Sequence, residues 1–281
     1  MQPNEFYISP YNLSVLIEAL ETGAKTVEIS PDLNLSRITV ELDDGYVALA
    51  GKTFTLDELK NIAEKLSGVI LVNNGETEKL EFFAGKYYKL RPTADSAPTV
   101  EIDGIRMHRT KTVDPGEDSR RKVQYAVKPG DAVLDTCSGL GYTAVWAVKK
   151  GADTVVTCEK DSHILRLRQK NPHSAGLADD KITVLQGDAF DLITDFSDGQ
   201  FDSVIHDPPR FSLAGDLYGS DFYRRLNRVL KRRGRLFHYT GDPYSKGRGR
   251  KFLEGILDRL EQAGFKPVHK PEDLGVFAVK N

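Results

Sequence analysis

The chain has 281 residues, 40% hydrophobic and 28% charged, with a formal net charge of −2. This describes a globular protein large enough to bury a sizeable core, and it excludes wholesale disorder and a fibrous repeat. No apolar run approaches the roughly 18–20 residues of a membrane span, and Met1-Gln2-Pro3-Asn4-Glu5 does not open a secretory signal. Two cysteines, Cys137 and Cys158, allow neither a disulfide framework nor a four-thiolate zinc site, so a cytoplasmic setting is expected.

Residues 1–95 read as a small α+β accessory domain. Ser9 and Pro10 suit the start of a helix whose Leu13, Leu16, Ile17 and Leu20 share a face, with Gly23 placed to end it. Strand-like segments follow at 25–29, 36–42 and 46–50, the last two joined through Asp43-Asp44-Gly45. Thr55 and Glu58 form a capping-box pattern ahead of a second helix, and further strands are expected near 68–73, 79–84 and 86–91. This part shows no catalytic cluster. Residues 96–129 read as a connector and a hairpin turning at Asp103-Gly104.

From residue 130 to 281 short apolar strands alternate with helical patterns, the signature of a parallel sheet covered on both faces. Strands are expected at 132–135, 154–158, 182–185, 201–206 and 235–239, with two more near 266–269 and 276–279. Helices are expected at 142–150, 163–170, 221–230 and 250–263. In such a sheet ligands bind beyond the carboxyl ends of the strands, where the strand order reverses.

Those ends carry the chemistry. After the first strand, Asp135-Thr136-Cys137-Ser138-Gly139-Leu140-Gly141-Tyr142 is a glycine loop feeding a helix N-terminus, where backbone can approach a ligand closely. Glu159 closes the second strand about twenty residues on, where a carboxylate can accept both hydroxyls of a ribose. Asp188, followed by Ala189, closes the third. Each acid alone is more often a solvated turn residue; together they fall in register with the loop.

Together these motifs resemble a class I S-adenosylmethionine-dependent methyltransferase. The resemblance implies a Rossmann-like seven-stranded α/β domain behind the small α+β domain, and S-adenosylmethionine as cofactor. It implies that Asp135, Cys137, Ser138, Gly139, Gly141 and Tyr142 cradle the methionine part, Glu159 holds the ribose, and Asp188 with Ala189 reads the adenine. Cys137 departs from the family pattern, standing where its first loop glycine usually is.

The fourth strand ends in His206-Asp207-Pro208-Pro209-Arg210-Phe211. This resembles the Asp-Pro-Pro-aromatic motif of amino-methylating enzymes, with Arg210 in the usual aromatic place and Phe211 one later. A conjugated amine is a poor nucleophile; an Asp207 oxygen and the Pro208 carbonyl could each accept one N–H and orient its lone pair. Pro209 stiffens the turn and Phe211 could stack on a base. Uracil C5-methyltransferases also carry Asp-Pro-Pro-Arg, but they need a cysteine nucleophile and none follows Asp207.

Charge points to the substrate. Residues 1–100 hold nine basic against fifteen acidic residues, whereas 224–251 hold eleven basic residues and one acid. Lys246, Arg248 and Arg250, with Arg120, Lys122 and Arg210, are therefore the expected RNA contacts. No cluster has metal-ligand spacing, and no metal is expected. Including Gly104-Ile105-Arg106-Met107-His108-Arg109 and Asp114-Pro115-Gly116-Glu117-Asp118-Ser119-Arg120, the whole chain resembles an archaeal methyltransferase group, some members of which are related to ribosomal-RNA cytidine N4-dimethylation; this implies a ribosomal RNA partner. The competing expectations are a polyamine aminopropyltransferase using decarboxylated S-adenosylmethionine and a non-catalytic RNA-binding module.

Overall fold

A computed structural model describes residues 4–241 and 249–281, with side chains for all of these except residues 249 and 250. The chain forms two compact units, one running to Gly116 and including Arg166–Ala175, the other comprising Glu117–Leu165 and Gly176–Asn281.

In chain order the first unit contains β1 (Glu5–Ile8), α1 (Pro10–Glu21), β2 (Thr26–Ile29), β3 (Ile38–Asp43), β4 (Tyr46–Leu49) and β5 (Lys52–Thr55). Then come α2 (Leu56–Lys65), β6 (Ile70–Asn73), β7 (Glu76–Lys79), β8 (Glu81–Ala84), β9 (Lys86–Arg91), β10 (Thr99–Ile102) and β11 (Ile105–Arg106). Both helices begin with reciprocal capping boxes, Ser9 with Asn12 and Thr55 with Glu58, each satisfying two otherwise orphaned amides. The strands form three antiparallel sheets, β1-β6-β7, β2-β3-β4-β5 and β11-β10-β9-β8. Phe6, Ile8, Leu13, Leu16, Leu59 and Val72 make a core under the first two. β1, β5 and β7 have no counterpart in the sequence expectation, because four-residue strands give too short a period to detect and Glu76-Thr77-Glu78-Lys79 is polar throughout.

The second unit carries α3 (Pro115–Ala126), which begins at the boundary, then β12 (Ala132–Asp135), α4 (Tyr142–Lys149), β13 (Thr154–Glu159), α5 (Ser162–Gln169) and β14 (Ile182–Gln186). These are followed by α6 (Ala189–Leu192), β15 (Phe201–His206), α7 (Ser220–Val229), β16 (Leu230–Tyr239), α8 (Gly249–Gln262), β17 (Phe265–Lys270) and β18 (Gly275–Lys280). One seven-stranded sheet runs β14-β13-β12-β15-β16-β18-β17, its first five strands parallel and β18 antiparallel to both neighbours. Val133, Leu134, Val155, Val204, Ile205, Leu236 and Phe237 are buried at 1% exposure or less. Helices on both faces explain why these strands read as unbroken apolar runs. Strand order reverses between β12 and β15, which opens a crevice at their carboxyl ends.

Helix α3 is the main element without a sequence counterpart; it occupies the stretch read as connector. Its inward face is Asp118, Ser119, Lys122, Val123 and Ala126, all 2% exposed or less. Three of those five are polar, so no apolar stripe advertises the helix. Among the described residues no helix is long and apolar enough to cross a membrane. Among the same residues no group of His, Cys, Asp and Glu could hold a metal ion.

Candidate functional site

The site is built from the ends of β12, β13, β14 and β15. Asp135, the last residue of β12, is fully buried and accepts hydrogen bonds from Thr143 Oγ1 on α4 and Thr157 Oγ1 on β13, both at 2.8 Å. Burial pushes its carboxyl up to about 6, against the pull of the two hydroxyls. Beyond it the loop is pinned by its own backbone: the Thr136 amide donates to the Ile205 carbonyl and the Ser138 amide to the Cys158 carbonyl. Gly139 and Gly141 both take positive φ, +53° and +85°. A Cβ on Gly141 would lie 2.4 Å from Leu177, whereas nothing lies within 4 Å of the place a Cβ on Gly139 would take. Gly141 also caps α4, whose first residue, Tyr142, is buried.

Glu159 ends β13 and binds backward, its Oε2 accepting the Gly139 amide at 2.8 Å and its Oε1 the Asp161 amide at 2.9 Å. Asp188 caps the short helix α6 through the Phe190 amide at 2.9 Å and pairs with Lys160 at 2.8 Å. Burial works to raise its carboxyl, but the Lys160 bond and the Phe190 amide prevail and hold it below the usual range. Ala189, next to it, is buried.

On the other side of the reversal, Asp207 follows β15. Its Oδ2 lies 2.6 Å from Lys122 Nζ, which is also 2.7 Å from Asp118 Oδ2 and 4.3 Å from the centre of the Tyr239 ring. Pro208 is buried; Pro209, Arg210 and Phe211 are exposed. The Tyr218 hydroxyl donates to the Pro209 carbonyl at 2.9 Å, and Phe211 meets the Tyr218 and Phe252 rings edge-on at 5.6 and 5.4 Å.

Behind Asp207 stands His206, wholly buried. Its Nε2 faces the Leu217 carbonyl at 2.9 Å and its Nδ1 the Thr136 hydroxyl at 2.7 Å. A carbonyl can only accept, so Nε2 carries the proton and Nδ1 accepts from Thr136. Burial lowers this imidazole to about 4, so it is neutral. The His238 ring lies 4.5 Å away and binds the Tyr223 hydroxyl at 2.8 Å. These bonds couple the glycine loop, the Asp-Pro-Pro turn and β16.

The structure thus brings Asp135, Gly139, Gly141, Glu159, Asp188 and Asp207 to adjoining ends of one sheet. One basic residue needs a correction: Lys122, expected to contact RNA, is 2% exposed and shared between two aspartates. Arg120 is partly exposed and held by Glu117 at 2.6 Å; Arg210 is exposed. Lys246 and Arg248 lie outside the described residues, as does the side chain of Arg250. Sequence reasoning missed Thr143, Thr157, His206, His238 and Asp118. Of these only the Asp118–Lys122 spacing of four, which places both on one helical face, left a usable signal.

The residues present fit S-adenosylmethionine. Gly139 faces open space, a helix N-terminus follows, and Glu159, each of whose oxygens accepts one backbone amide, is an acid of the kind that accepts ribose hydroxyls. Asp135 Oδ1 is buried without a well-formed hydrogen bond.

Residues 133–234 match the family model described as methyltransferase domain. Fold and loop together define a class I S-adenosylmethionine-dependent methyltransferase domain, with S-adenosylmethionine as its cofactor. The chain belongs to the family of the uncharacterized protein MJ1233 of Methanocaldococcus jannaschii, with 44% identity over 269 residues, 94% of this chain and 92% of that one. A putative ribosomal RNA large subunit methyltransferase of the same organism, MJ1653, is 33% identical over 40% of this chain and 30% of its own length. The spermidine synthase of Thermotoga maritima shares the fold, with a TM-score of 0.56 and 14% identity over 88% of this chain and 76% of that one.

Proposed function

We propose that the enzyme methylates an exocyclic amino group of a base in RNA, with cytidine N4 of ribosomal RNA as acceptor, in one transfer or two. The observation that carries this reading is Asp207: its Oδ2 is engaged by Lys122, while its Oδ1 has no hydrogen-bond partner among the described residues. In this reading Oδ1 and the Pro208 carbonyl accept the two N–H bonds of the amine and turn its lone pair toward the cofactor side. S-adenosylmethionine, when bound, supplies an electrophilic methyl group there. The exposed Phe211 ring offers a stacking surface for the base. The cationic nitrogen then releases its proton to solvent.

Carbon methylation through a covalent adduct is disfavoured, because burial pushes the Cys137 thiol well up and the Cys158 thiol to about 12, so neither is a ready nucleophile. The alignments with putative ribosomal RNA methyltransferases support RNA as substrate.

Methyl transfer by Asp207→Ala to an unmodified ribosomal RNA transcript tests the reading, with nucleoside mass spectrometry to identify the product. Loss of N4-methylcytidine formation is expected. Near-normal turnover, or methyl on carbon, overturns it. Calorimetry with S-adenosylmethionine against its decarboxylated form separates this activity from aminopropyl transfer.

A further inference from the structure

We infer that Lys122 is the positioning residue of the methyl-transfer site: shared between Asp118 and Asp207, it fixes the Asp207 carboxylate so that one oxygen is presented to the acceptor amine. The inference rests on the reading of Asp207 given above and adds two residues, Lys122 and Asp118, that no sequence motif marks.

The first support is the cost of the arrangement. A lysine with 2% exposure has surrendered its hydration, and replacing a buried ion pair by apolar side chains is often neutral or stabilising. Stability alone therefore gives no reason for an ammonium at this point of α3. Geometry does. The ammonium has three N–H bonds; it lies 2.6 Å from Asp207 Oδ2 and 2.7 Å from Asp118 Oδ2, with the Tyr239 ring face 4.3 Å away. These contacts anchor the ammonium on three sides, and α3 and β16 hold it rigidly. With Oδ2 clamped, the Asp207 carboxylate has one orientation and Oδ1 is the oxygen left over.

The second support is charge. Two acidic side chains, Asp118 and Asp207, meet one ammonium beside the amine. During transfer the nitrogen lone pair forms the new N–C bond, the S–C pair returns to sulfur, and the positive charge moves from sulfur to nitrogen. A fixed negative cluster stabilises that charge without reorganising. Asp118 adds a second acidic side chain to the Lys122–Asp207 pair.

The groups facing Asp207 are Lys122 and Asp118 on α3, Asp135 and Cys137 at the end of β12, and Tyr218 on the turn before α7; the neutral His206 precedes it. Burial and Asp118 raise the Asp207 carboxyl, and Lys122 opposes them. The two α3 residues thus act on Asp207 with opposite sign.

The test uses the full chain, an unmodified ribosomal RNA transcript as acceptor, and carbon-13 NMR of the Asp207 carboxyl without substrate. Lys122→Met should cut methyl transfer by about 100-fold, the effect of misplacing a reacting group by an ångström, while S-adenosylmethionine affinity stays within threefold of wild type. It should also move the Asp207 titration and the acid limb of the rate profile to higher pH. Asp118→Asn, which keeps the volume and the helix, should move both to lower pH and serves if Lys122→Met does not fold. Unmoved titrations and rates in folded variants overturn the inference, as does a loss of rate matched by unfolding alone. An active Asp207→Ala enzyme instead removes the reading beneath it, and the NMR titrations show which of the two has failed.

Discussion

Glu159 Oε2 accepts the Gly139 amide at 2.8 Å, so one carboxylate ties the end of β13 to the glycine loop after β12. A cofactor ribose bound here must share that carboxylate with the loop. Glu159→Ala removes a charged acceptor from both, and hydrogen bonds to charged groups contribute about 1.5–3 kcal/mol. S-adenosylmethionine affinity measured by calorimetry should fall roughly 10- to 100-fold; Glu159→Gln should fall less, because its amide oxygen still accepts.

The two left-handed glycines of the loop should fail differently. Gly141→Ala places a methyl 2.4 Å from Leu177 at φ +85°, combining backbone strain with overpacking, for a loss of about 2–4 kcal/mol in urea unfolding. Gly139→Ala meets nothing within 4 Å and should cost about 1 kcal/mol. In the proposed site its methyl would enter the space of the cofactor, so calorimetry should show at least a tenfold loss of affinity in a protein that melts nearly as wild type.

His206 makes stability depend on pH. Its imidazole is lowered to about 4, whereas an unfolded histidine titrates near 6.5. Between these values the unfolded chain binds more protons than the native one, so this contribution is complete above pH 6.5 and is lost as pH falls toward 4, by about 3 kcal/mol. Asp135 acts in the opposite sense: raised from 3.8 to about 6, it makes the native state bind more protons over that interval. The two nearly cancel in the wild type from pH 4 to 6. The urea midpoint of His206→Asn relative to that of the wild type should therefore decline as pH rises from 4 to 6.5.

Tyr218→Phe leaves the Pro209 carbonyl without its 2.9 Å donor and loosens the turn that carries Asp207. The hydrogen bond contributes about 1 kcal/mol to stability. Its loss should lower kcat for methyl transfer about tenfold, with cofactor affinity unchanged, in a steady-state assay paired with calorimetry.

Legibility in the sequence followed chemistry. Val133-Leu134, Val155-Val156 and Val204-Ile205 announce a doubly covered sheet because both faces are apolar, and Gly139, Glu159, Asp188 and Asp207 sit where those strands stop. What stayed hidden was buried polarity. Asp118 lies in a stretch that reads as connector and Lys122 reads as an RNA contact, since charged side chains are rarely interior, and nothing nearby in sequence points to the partner 85 residues away, Asp207. His206 and His238 were hidden for the same reason: strand pairing sets their rings against each other, and nothing within either segment records it.

The return of residues 166–175 to the first unit limits how the chain can be cut. His173 Nε2 meets the Leu33 carbonyl at 2.7 Å and the Arg166 guanidinium covers the Phe82 ring at 4.5 Å. A truncation starting at Glu117 would keep this decapeptide while discarding everything it docks on, and would tether a frayed loop just after α5 begins. Minimal catalytic fragments should accordingly be engineered by grafting a short turn across 166–175, and a gene fusion breaking the chain at a single junction would not reproduce either half.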